Sequence, residues 1–80
     1  MSAHAYINIT DVPIVLLATA AQRVDDNASV TLISFDGCPL VGKIAGAGQQ
    51  VEFPFPRLLE LRYGLVDWLA YHGISFTVAM

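Results

Sequence analysis

The order of apolar and polar positions divides the chain into alternating stretches and helically periodic ones, and the longest periodic stretch runs from Phe55 to Gly73. At 100° per residue, Leu58, Leu61, Leu65, Trp68 and Leu69 fall on one side of a helix, widened by Leu59 and Val66. The opposite arc collects Glu60, Tyr63, Gly64, Asp67 and Tyr71, which lie three and four positions apart and form one acidic and aromatic strip. Pro56 suits the first turn, where its missing N–H has no partner to lose, Pro54 and Pro56 hold Phe55 extended on the way in, and Gly73 suits the left-handed residue just past the end. Arg62 falls on the apolar side. The pattern predicts a stem laid along the core edge with its head in water, and an ion pair with Glu52 or an aspartate is the alternative.

The remaining elements are shorter. Ala3 to Thr10 alternates, with Ala5, Ile7 and Ile9 on one face and His4, Tyr6, Asn8 and Thr10 on the other, which predicts a half-buried strand. Thr10 or Asp11 then caps a helix predicted over Ile14 to Val24, with Pro13 tolerated at its start. Its phase places Ile14, Leu17, Ala18, Ala21 and Val24 inward and Val15, Leu16, Thr19 and Arg23 outward, so the helix is apolar nearly all round. Asp25, Asp26 and Asn27 mark a turn in which the two acids read as a solvated helix end. Ser29 to Phe35 is rich in β-branched residues and predicts a strand, with a hairpin at Asp36-Gly37 and another strand over Leu40 to Ala45. Gly46 to Gly48 interrupts that strand. Gln49 to Phe53 is then either a further short strand or its far half. Ile74 to Met80 alternates again and predicts a last strand.

These elements predict a single α+β domain over residues 1–80, an antiparallel sheet with both helices on one face in the ferredoxin-like βαββαβ plan. That plan leaves a sheet face open. Tyr6, Asn8, Ser75 and Thr77 are out of phase with the core and are expected on it.

Composition changes the picture in one respect. Apolar residues make up 55% of the chain and charged residues 14%, more grease than one small interior hides, so an exposed apolar patch and a protein partner are expected. Net charge is −3 with only Arg23, Lys43, Arg57 and Arg62 as bases, which gives no basic stripe and disfavours direct nucleic-acid binding. The single cysteine, Cys38, forms no internal disulfide, so the cytoplasm is the expected location. Neither a signal peptide nor a membrane helix is expected, since the longest apolar run, Val12 to Ala21, is too short to span a bilayer.

The motifs for chemistry are weak. Cys38 with His4 or His72 has no local signature of a nucleophile and base, the histidines lack ligands at metal spacing, and Gly42, Gly46 and Gly48 do not open a helix as a phosphate cradle does. No catalytic residue, cofactor or metal is assigned. Ala5-Tyr6-Ile7-Asn8-Ile9 resembles the first-strand motif of RNA-recognition domains, which implies a base stacked on Tyr6, but Leu40-Val41-Gly42-Lys43-Ile44 lacks the aromatic of their second motif.

The sequence thus favours a non-enzymatic protein-binding domain. Glu60, Tyr63, Asp67 and Tyr71, with Asp25, Asp26 and Leu16, are the expected contact residues for a partner with a basic surface, such as one that handles nucleic acid. A short, acidic, motif-free chain of this kind resembles phage-encoded inhibitors, anti-CRISPR proteins among them, which implies an inhibitor or modulator. The alternative is a homodimeric ferredoxin-like domain that binds a small ligand or performs minor chemistry, its pocket lined by Tyr6, His4 or Tyr71.

Overall fold

The computed structural model describes residues 3–80; Met1 and Ser2, part of the domain expected over 1–80, lie outside them. In chain order the elements are β1 (Ala3–Asn8), a 3-10 turn (Ile9–Asp11), α1 (Ile14–Thr19), β2 (Ala21–Asp25), β3 (Val30–Ser34) and β4 (Gly42–Ala45). A second 3-10 turn (Gly46–Gly48), β5 (Gln50–Phe55), α2 (Leu59–Tyr71) and β6 (Thr77–Ala79) follow. The strands form one antiparallel sheet in the order β2-β3-β4-β5-β1-β6.

Alternation assigns the two faces of this sheet. Ala5 pairs with Phe53 and Ile7 with Val51, and all four are buried, whereas Tyr6 pairs with Glu52 on one side and Thr77 on the other and faces away from the core. Leu16 of α1 and Leu65, Trp68 and Leu69 of α2 join Ala5, Ile7, Ile33, Val51 and Phe53 in one cluster, so both helices cover the same face. A helix of this length is marginal alone; burying three large side chains at about 1.5–3 kcal/mol each is what holds α2 in place. Trp68 fixes its position. The indole stacks on Phe35 at 5.6 Å between ring centroids, and Nε1 donates to the Asp36 carbonyl at 3.2 Å.

The end of α2 is as the sequence predicts. Gly73 (φ 68°) donates to Ala70, Ile74 donates to Leu69, and the buried Leu69 and Ile74 close the turn, a Schellman arrangement that satisfies the last carbonyls. Its start is not. Phe55 pairs with Ala3 as the last residue of β5, so Pro56 lies outside the helix and α2 begins at Leu59, with Leu58 at the cap. Phe55 is extended, as its place before Pro56 requires, and its β1 partner Ala3 carries the strand up to it. Leu58, Leu59 and Leu61 consequently lie beyond the sheet's cover and are exposed.

The first helix also differs. It stops at Thr19, Ala20 is extended (ψ 140°), and Ala21 to Asp25 pairs in full with Ser34 to Val30. Helix propensity separates such residues by only tenths of a kcal/mol, less than a ladder of backbone hydrogen bonds supplies. With the helix cut short, its face is set by the buried Val12 before it. Leu16, expected outside, is buried, while Ile14 and Val15 are exposed.

One further expectation changes and one open alternative is decided. Residues 35–41 join β3 to β4 as a longer loop in place of a tight hairpin, although Gly37 (φ 76°) does sit in a turn closed by Cys38 N–H donating to Phe35. The segment after Gly48 is a separate strand, since β5 folds back on β4 with Ile44 opposite Val51. Six strands, a shortened α1 and this strand order differ from the ferredoxin-like plan; the antiparallel α+β arrangement with two helices stands.

Candidate functional site

The outer face of α2 gathers four of the expected contact residues. Glu60 and Asp67 are exposed, Tyr63 is 59% exposed and Tyr71 84%. Arg62 lies to the side, where its Nε donates to the Pro56 carbonyl at 2.9 Å and its guanidinium covers the Phe55 ring at 4.4 Å. It therefore neither reaches water freely nor pairs with Glu52. The one ion pair among the described residues is Lys43 with Glu52, so Glu60 and Asp67 carry uncompensated charge. The strip is flanked by the exposed Leu58, Leu59 and Leu61 at the helix start, while Gly64 leaves it by packing towards Pro39, which lies 3.4 Å from where a Cβ would stand. At the other end Tyr71 meets His72 edge-on, and His72 meets Trp68, linking the strip to the core.

The other expected contact residues lie elsewhere. Leu16 is core. Asp25 ends β2 and accepts from the Asn27 N–H at 3.1 Å, closing the turn into β3, and Asp26 is exposed beside it. These acids belong to a hairpin rather than a helix end. They sit at the Val30 end of β3, whereas α2 docks beyond its Ser34 end, roughly 15 Å away along a five-residue strand.

The open face of the sheet carries an arrangement that alternation alone did not disclose. The registers place Arg23, Leu32, Lys43, Glu52, Tyr6 and Thr77 opposite one another in a single row across all the strands. Glu52 is its hub: Tyr6 Oη donates to Oε2 at 2.6 Å, and Lys43 Nζ lies 2.9 Å from Oε1. The Tyr6 hydroxyl and then Lys43 hold the Glu52 carboxyl below its ordinary range, and the same hydrogen bond raises the Tyr6 phenol. The only signals for Glu52 in the sequence are its phase and its place between two prolines and a glycine turn. Beyond Lys43 a shallow cleft of about 280 Å³ is lined by Ala21, Gln22, Arg23, Leu32, Ser34 and Val41.

No pocket assembles from Tyr6, His4 and Tyr71. The first two lie on the open face, and Tyr71 is on the helix layer behind it. Cys38 is half-buried at the core margin, where desolvation pushes its thiol up and away from the reactive thiolate, and His72 is occupied by Trp68 and Tyr71. Among the described residues no three His, Cys, Asp or Glu side chains gather as metal ligands, and no helix is long and apolar enough to cross a membrane. No protein-family model matches the chain, and no curated protein or solved structure matches it.

Proposed function

We propose that this chain is a non-enzymatic protein-binding domain that docks through the outer face of α2 on a partner with a basic surface and so modulates it. A protein that handles nucleic acid presents such a surface. The observation that supports this most directly is the combination on one helix of uncompensated Glu60 and Asp67 with the exposed Tyr63, Tyr71, Leu58 and Leu59. Tyrosines supply rigid contact area at small entropic cost, and leucines at the helix start extend the apolar part of the footprint. The carboxylates add attraction and orientation to arginines opposite them.

The test is retention of a partner on immobilised protein, compared between the wild type and Tyr63→Ala/Asp67→Lys. We expect binding to weaken by about 30-fold or more, as for the loss of a central anchor residue, with the thermal midpoint unchanged because neither side chain is in the core. Retention equal in both proteins removes the strip from consideration.

A further inference from the structure

The proposed contact face of α2 leaves the sheet's own edge without an assignment. β2 pairs on one side only, with β3, and its other side offers free backbone groups of the kind that template pairing with another chain. Arg23 and Asp25 project from this strand onto the open face. Their own sheet gives them no ionic partner, because Arg23 stands opposite Leu32 and Asp25 opposite Val30. Between them Val24 points to the helix side, where the shortened α1 leaves it 62% exposed.

The order Arg-Val-Asp is self-complementary in antiparallel pairing. A two-fold axis through Val24 sets Val24 against its copy, Arg23 against the copy's Asp25, and Asp25 against the copy's Arg23. Directly opposed residues share a face, so both ion pairs form on the open side and the valine pair forms on the helix side. Gln22 then meets Asp26 of the second copy. A one-residue slip of the axis to Arg23 would set arginine against arginine, so charge also selects the register. Oδ1 of Asp25 holds the Asn27 N–H, which leaves Oδ2 to meet the arginine of the second copy, and closed two-fold pairing uses the same patch on both molecules.

We propose that two copies of this chain associate edge to edge through β2, about Val24, into one continuous sheet of twelve strands, twice the six each chain contributes. The association leaves the outer face of α2 free on both copies and is independent of what that face binds. The test is sedimentation equilibrium of the wild type, Arg23→Asp, Asp25→Arg and a one-to-one mixture of the two variants, with circular dichroism to verify that each is folded. In each variant alone the opposed charges become alike, and dimerisation is expected to weaken roughly tenfold or more. In the mixture every opposed pair is again of opposite sign, so dimers reappear. A wild type that stays monomeric up to millimolar concentration overturns the proposal. So does a dimer that both single variants leave intact, or a mixture that stays as monomeric as its components.

Discussion

Tyr6 on β1 and Glu52 on β5 stand directly opposite each other, and the phenol donates to the carboxylate across 2.6 Å on the face turned away from both helices. Lys43 completes the bridge from β4. The bond ties together three neighbouring strands whose other faces form the core. Its two groups shift in opposite directions, and the signs define a window. Glu52 is lowered in the folded chain, so its contribution is full above the ordinary carboxylate value and is lost as pH falls through the lowered one. Tyr6 is raised, so its contribution is full below the ordinary phenol value and is lost as pH rises through the raised one. Thermal midpoints measured from acid to alkaline pH should fall at both ends, and Glu52→Gln should flatten the acid limb. Because the pair is on the solvent side and is screened, the effect is a change of slope rather than collapse. An acid limb identical in the two proteins would assign it to other carboxylates.

Gly42 faces the core from β4 at a point with no room for a side chain. A Cβ there would stand 2.4 Å from Cγ1 of Val51 and 3.0 Å from Cε1 of Phe53, both fully buried. Gly42→Ala should therefore cost about 1–3 kcal/mol by overpacking, at roughly 4–8 °C of midpoint per kcal/mol in a domain of this size. The cost should shrink when Val51→Ala removes the nearer obstacle. Calorimetry of the four members of this cycle measures it, and an unchanged cost in the Val51→Ala background would trace the strain to Phe53 or to the backbone.

The features legible in the sequence are those decided by near neighbours. Gly73 ends α2 because a left-handed residue closes the last turn locally, and Tyr6 and Thr77 face away from the core because a strand's alternation has a fixed period. The exposure of Glu60, Tyr63, Asp67 and Tyr71 follows from helical spacing in the same way. Distant partners decided the rest. Ala21 and Gln22 favour helix weakly and become strand because Ser34 and Ile33 pair with them. Leu16 turned inward once its helix lost the residues that had fixed its phase. Glu52 became a hub only when register set Tyr6 beside it as well as Lys43 from the neighbouring strand, and no local pattern carries register between β1 and β5, which a helix and three strands separate along the chain.

Arg62 shows how one side chain joins the two layers. It reaches back from the first turns of α2 to the carbonyls of Pro56, at 2.9 Å, and Phe55, at 3.5 Å, with its guanidinium over the Phe55 ring. α2 has no side-chain cap at its start, so this contact is what fastens the end of β5 to the helix. A charged donor on half-buried carbonyls together with the ring contact is worth about 1–2 kcal/mol. Arg62→Met keeps the stem and removes both, and lysine should not rescue it, because an ammonium lacks the planar fork that serves two carbonyls and a ring together. Residues 56–58 should then open more often. Trypsin reports this directly, since Arg57 is exposed in that segment and provides a cleavage site there. Cutting after Arg57 should accelerate roughly tenfold in Arg62→Met and in Arg62→Lys, while cutting after Arg23 on β2 stays at the wild-type rate. Equal acceleration at both sites would mean that the substitution lowers global stability instead, and that the helix start is held by the burial of Leu65 and Leu69 alone.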